Sequence, residues 1–268
     1  MQNRKVIRGS TPLIISMPHV GVMVPPDVKN RMTEAGRQLM DTDWNVDRLY
    51  GFAEKLGATM IAAVHSRYVV DLNRPPDDGD LYPGQVKTGL CPLETFDGAP
   101  IYKAGEEPDD IEKLNRLAAY WHPYHDALRE EIARVKSEFG YALLYDAHSI
   151  KSVVPRLFDG VLPDLNLGTA KGVSCDAGMA EAALQAASSS SYSTVLNGRF
   201  VGGYITRHYG RPAEHVHALQ MELAWKNYMY ETVPYSYRAD KAAQLQVTLE
   251  AVLRAMLEWA EKHYAVKS

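Results

Sequence analysis

Two histidines stand where apolar runs end. His19 follows "PLIISMP" (residues 12–18), and His148 closes "YALLYDAHS" (141–149). Side chains alternate across a strand, so Asp146 and His148 point to one side of the second run. In a parallel sheet the C-terminal strand ends are where ligands bind. Two imidazoles and a carboxylate with an open fourth position form a donor set used by catalytic zinc. Asp43, in "DTDWNVDRLYGFAEKLG" (41–57), can supply the carboxylate. Asp41 and Asp47 compete with it, and Asp43 is equally suited to cap a helix. Asp146 would then orient an imidazole or a loop from behind the donors.

Glu222, inside "VHALQMELAW" (216–225), is a less ordinary residue, because a carboxylate in a strand interior is costly to bury unless paired. Its face is shared with Ala218, Gln220 and Ala224, small or amide neighbours that line a pocket without filling it. Beside a metal-bound water such a carboxylate is a general base; on an edge strand it would face solvent. Arginine binds a carboxylate bidentately, and three arginines lie in Gly/Pro-rich segments: Arg74 in "DLNRPP", Arg207 in "GGYITRHYG" and Arg156 in "VVPRLFDG". Each alone is equally a surface ion-pair partner; together they suit a substrate with carboxylates. His122 and His125 in "HPYHDAL" lack the acid of HExxH and read as structural. "HVH" (215–217) is an outlying candidate for substrate contact. There is no GxSxG elbow, no GxxxxGK[ST] loop and no GxGxxG after a strand.

These residues need rigid elements behind them. "PLIISMP", "ATMIAAVHS", "RYVVDLN", "YALLYDAHS" and "VHALQMELAW" read as strands. "DTDWNVDRLYGFAEKLG" carries apolar residues at near-helical spacing and stops at Gly57. "DDIEKLNRLAAYWHPYHDALREEIARVKSEFG" is a long amphipathic helix with a bend expected at Pro123. "DAGMAEAALQAAS" and "KAAQLQVTLEAVLRAMLEWAEKHY" complete the helices, and "STVLNGRFVGGYITRHYG" alternates like extended chain broken by a glycine pair. Residues 75–107 and the stretch "KSVVPRLFDGVLPDLNLGT" are long and irregular, which in compact domains often means functional. Strands alternating with helices predict an α/β protein with a mostly parallel or mixed sheet, and one domain over residues 1–268 is the simplest account.

Bulk properties narrow the function further. The 268 residues are 46% hydrophobic and 23% charged, ordinary for a soluble globular protein. A net charge of −4 argues against a nucleic-acid binder. No apolar run approaches a membrane span, and the first residues carry no long apolar core of a signal peptide. Cys91 and Cys175 are too few and too far apart for a disulfide framework, so free thiols and a cytoplasmic location are expected.

The motifs "PHVG", "DTDWNVDRLY", "SRYVVDLNRPPDD", "LYPGQ", "TGLCP", "DAHSIKSVVPRLFDG", "LPDLNLGT", "NGRFVGGYITRHYG" and "HALQMELAW" occur in this order from about residue 12 to 235. Together they resemble the N-formylglutamate amidohydrolases. The resemblance implies hydrolysis of N-formyl-L-glutamate to formate and L-glutamate in histidine degradation. It also implies a three-layer α/β/α sandwich with a mixed, mostly parallel sheet, related to the zinc carboxypeptidases. Carried over by position, His19 and His148 look like the imidazole ligands of a divalent metal, expected to be zinc. Asp43 looks like the carboxylate ligand, with Asp47 as its rival, and Glu222 like the water-activating base. Arg74 and Arg207 look like substrate-binding groups. Val20 departs from the pattern, since many relatives have serine or glutamate after the first histidine. The alternatives are another N-acyl amino acid amidase, a carboxypeptidase-like hydrolase, or a non-catalytic ligand-binding homologue.

Overall fold

A computed structural model describes residues 4–79 and 88–265 of the chain; the motif "LYPGQ" lies outside them. The strands are β1 (Arg4–Ile7), β2 (Leu13–Met17), β3 (Thr59–Ala63), β4 (Ala142–Ile150), β5 (Leu165–Gly168), β6 (Thr194–Leu196) and β7 (Val216–Ala224). The α-helices are α1 (Pro26–Arg31), α2 (Glu34–Arg37), α3 (Val46–Leu49), α4 (Asp110–Arg116), α5 (His122–Phe139), α6 (Ala177–Ser188), α7 (Tyr204–Tyr209) and α8 (Ala239–Tyr264).

Among the described residues the strands form one sheet in the order β1-β3-β2-β4-β7-β5-β6. The pairs β3–β2, β2–β4, β4–β7 and β5–β6 are parallel, while β1–β3 and β7–β5 are antiparallel. The sheet is therefore mixed and mostly parallel. Its central strands β2, β4 and β7 are buried along their whole length, which is why they read as continuous apolar runs rather than alternating ones. One face, carrying Leu143, Tyr145, Ala147, Leu219 and Met221, packs on α6 and α8. The other, carrying Ile14, Ala142, Leu144 and Ala218, packs on Tyr124, Leu128 and Val135 of α5 and Ile205 of α7. Helices thus cover both faces, giving the expected three-layer α/β/α sandwich.

Several local expectations are corrected. "RYVVDLN" is not a strand: Val69 N–H donates to Ser66 O and Arg74 N–H to Asp71 O, so the segment folds into turns despite its β-branched residues. Tertiary packing overrides β-propensity here. The helix expected over 41–57 is a short α3 continued as a 3-10 turn (Tyr50–Leu56), and Asn45, not Asp43, precedes it. The second half of "STVLNGRFVGGYITRHYG" is the helix α7. β5 lies within a stretch read as irregular, and β1 had no distinct signal because it is a four-residue edge strand. The long helix does change at Pro123: a π-helical segment (Leu117–Trp121) joins α4 to α5 immediately before it, where proline lacks the N–H a regular helix would use.

Candidate active site

The parallel register β2–β4–β7 decides what meets at the rim. Ser16 pairs with Asp146, Asp146 with Gln220, and His148 with Glu222. All of these lie on the α5 side of the sheet at its C-terminal end, because they follow Leu144 and Ala218 by even numbers of residues. His19 comes just after β2, in the "PHVG" turn. Gly21 lets that turn sit against the next chain segment, since a Cβ there would lie 2.2 Å from the His65 carbonyl oxygen. The His19 carbonyl accepts the Asp43 N–H at 3.0 Å, which holds the loop carrying Asp43 against the loop carrying His19.

His19, Asp43 and His148 are each 3% exposed or less, and one donor atom from each lies within 4.8 Å of the others. Asp43 Oδ2 is 3.0 Å from His148 Nδ1 and 3.7 Å from His19 Nδ1. The opposite ring nitrogens are anchored to acids: His19 Nε2 lies 2.7 Å from Asp71 Oδ1, and His148 Nε2 lies 2.9 Å from Asp146 Oδ2. Asp71 is held in turn by Arg67 at 2.6 Å, and Asp146 accepts from Ser16 Oγ at 3.0 Å. His19 Nδ1 is buried and has no hydrogen-bond partner, a cost the fold would not carry without a return. With Nε2–H donating to a carboxylate, Nδ1 keeps its lone pair free for a cation, and the carboxylate behind it raises its basicity. The residues present therefore fit a divalent metal held by His19, Asp43 and His148.

The electrostatics agree with that arrangement. Burial, helped by the nearby Arg67 charge, lowers the His19 pKa against the pull of Asp71. Burial also opposes charge on His148 and Asp71 but is outweighed. Asp146 and Asp43 raise the imidazole well above its usual range, and Arg67 and His19 hold the Asp71 carboxyl well below its own. Glu222 is pushed up to about 8 by burial, against the pull of His148. A cation beside it would favour the carboxylate form.

Glu222 lines one cavity with His19, Asp43 and His148. Of the expected arginines, Arg74 lines this cavity, its guanidinium donating to Thr88 O at 2.8 Å and to Asn73 O at 3.0 Å. Arg207 does not; it is exposed on α7 and donates to Gly202 O at 2.9 Å. Arg156 is paired with Glu94 instead. Asp47 is exposed and caps Arg48 N–H at 2.9 Å, whereas Asp43 is buried among the donors. Asp41 accepts from Tyr68 Oη and Phe96 N–H, so it shapes a wall. His125 and His217 are occupied elsewhere, so "HVH" contributes nothing to this cavity. The sequence reading missed Arg67, Asp71, Asn73 and Arg199 at the site. The first three sit in "RYVVDLN", where an arginine and an acid four residues apart beside a proline turn were a signal for a structured loop.

Comparison with known proteins adds an independent line. A sequence model of the family N-formylglutamate amidohydrolase matches residues 11–229. An N-formylglutamate deformylase of Pseudomonas aeruginosa is 54% identical over 260 residues, covering 96% of this chain and 97% of that protein. One from Pseudomonas putida is 52% identical, covering 96% of both. The crystal structure of an N-formylglutamate amidohydrolase from Ralstonia eutropha JMP134 superposes with a TM-score of 0.83 at 26% identity, covering 99% of this chain and 100% of that one.

Proposed function

The chain belongs to the N-formylglutamate amidohydrolase family and is a hydrolase of an amide bond, and on that footing we propose that it cleaves N-formyl-L-glutamate to formate and L-glutamate, as a zinc enzyme of cytoplasmic histidine degradation. The observation that carries this reading is the buried meeting of His19, Asp43 and His148 in one cavity with Glu222. Zinc held by those three residues supplies Lewis acidity, lowering the pKa of water and polarising a carbonyl. Asp71 and Asp146 fix the tautomers and ring orientations of the two imidazoles.

Glu222 accepts a proton from the water as oxygen attacks the formyl carbon, and delivers it to the departing glutamate nitrogen as the C–N bond breaks. Its carboxylate is buried and carried on a central strand, so it is held without freedom to drift. Arg74, with Arg67 and Arg199 in the same lining, supplies positive charge for the substrate carboxylates. No helix among the described residues is long and apolar enough to cross a membrane.

Formate release from N-formyl-L-glutamate, set against N-acetyl-L-glutamate, tests the reaction. Glu222→Gln is expected to keep its metal and lose about 100- to 10,000-fold in turnover. Near-normal turnover by that variant would remove Glu222 from the proton-transfer role.

A further inference from the structure

Gln220 lies one pleat below Glu222 on the same face of β7, opposite Asp146 of β4. It is 3% exposed and lines the cavity. Its Oε1 accepts the Gly203 N–H at 2.8 Å. A backbone N–H can only donate, so this bond assigns the oxygen and turns the amide nitrogen the other way. Among the described residues Gln220 Nε2 has no hydrogen-bond partner, and with its residue in the cavity lining the amide donor is left open to a ligand there.

The orientation is held from behind. Gly203 packs so closely on Asn73 that a Cβ would lie 2.3 Å from Asn73 Nδ2. Asn73 Oδ1 in turn accepts the Ile205 N–H at 2.8 Å, and its Nδ2 lies 3.3 Å from Asp146 Oδ2. The Gly203 N–H is thus set by a neighbour that is itself bonded at both ends, and a flipped Gln220 amide would turn its NH2 group on that N–H.

We propose that Gln220 is a substrate-binding residue whose Nε2 donates to the side-chain carboxylate of the glutamate moiety. This rests on the function proposed above. Two residues along a strand span about 6.6 Å. An extended chain from the formyl carbon to the glutamate side-chain carboxyl spans on the order of 6 Å. With the formyl group beside Glu222, that carboxylate reaches the level of Gln220. A neutral donor at this depth complements the arginines by position, since it lies where the side-chain carboxylate falls when the formyl group sits beside Glu222.

Gln220→Glu separates this role from a structural one. It keeps the acceptor that Gly203 needs and replaces only the donor. Wild-type formate release from N-formyl-L-glutamate is scored first; its absence would overturn the function and this inference with it. Given that activity, Q220E is expected to lose about 100-fold in kcat/KM on N-formyl-L-glutamate, mostly through KM. Its preference for N-formyl-L-glutamine, whose amide can donate to the new carboxylate, should rise at least about tenfold relative to wild type. Metal content should stay at the wild-type level. Equal loss on both substrates, or an unchanged KM, would overturn the proposal and leave Gln220 as a support for Gly203. If Q220E fails to fold, Gln220→Met removes the donor without adding charge. It should raise KM about tenfold with little change in kcat, and an unchanged KM would again overturn the proposal.

Discussion

Two buried histidines on the same side of the sheet show how a site differs from a core. His125, on α5, is closed at both ring nitrogens: Nε2 donates to Leu72 O at 2.8 Å, and Nδ1 lies 2.9 Å from the Tyr209 hydroxyl. It stacks on Trp121 with ring centroids 3.7 Å apart. His19 is as deeply buried, but only Nε2 is engaged, by Asp71, and Nδ1 faces His148 and Asp43 with no hydrogen bond. The neighbours differ in kind as well. Neutral oxygens surround His125, and burial pushes its pKa down to about 3, so the folded protein holds it neutral. Carboxylates surround the rim pair, an arrangement that stores negative charge for a cation. Burial alone does not mark a functional histidine; an unspent nitrogen beside other donors does.

The sharpest way to break this comparison is to remove a rim imidazole. His19→Ala and His148→Ala should each abolish metal retention and lower formate release by more than about 1,000-fold, near the level lost without a metal. Metal analysis and steady-state rates check this, and a variant that keeps both metal and rate would end the assignment of that residue. A smaller loss is expected one step back. Asp71→Asn leaves a hydrogen-bond acceptor for His19 but removes the charge, and should weaken metal affinity about 10- to 100-fold, read by competition with a chelating dye.

The opposite pattern is expected at His125. His125→Ala opens a cavity and removes the side-chain donor to Leu72 O, costing about 2–4 kcal/mol of stability in denaturant unfolding. The metal content of the folded fraction should not change. The same residue sets a pH dependence. Its folded pKa of about 3 lies below the ordinary value of 6.5, so below about pH 6.5 the unfolded chain binds a proton that the folded one does not. Stability is fully present above that pH and is lost as pH falls toward the folded pKa, by up to about 1.4 kcal/mol per pH unit. His125→Ala should remove that part of the slope between pH 6 and about 4, and an unchanged slope would contradict the buried neutral imidazole.

What could be read in advance follows the same division. β2, β4 and β7 announce themselves as unbroken apolar runs, and the two-residue period of a strand then places Asp146 with His148 and Glu222 with Gln220. His19, His148 and Glu222 were legible as candidates because they lie on or just after such strands, whereas Asp43, in the loop before α3, was left in competition with Asp41 and Asp47. Asp71 and Arg67 were not legible, because their segment is rich in Val and Tyr and its turns are set by contacts with His19 and Asp41 from distant parts of the chain. Arg207 was a reasonable candidate as an arginine beside two glycines, but helix formation at Tyr204–Tyr209 turns it to the surface. Loop arginines are where sequence is least informative, since their direction depends on neighbours that no local pattern specifies.

The central claim is that His19, Asp43 and His148 at the rim hold a metal on which amide hydrolysis depends. Its most direct test is formate release from N-formyl-L-glutamate by the purified protein as isolated, after chelation, and after stoichiometric zinc add-back, with bound metal measured in each state. The account predicts release that disappears with the metal and returns at about one zinc per chain. Release that continues after the metal has been verified absent would contradict it.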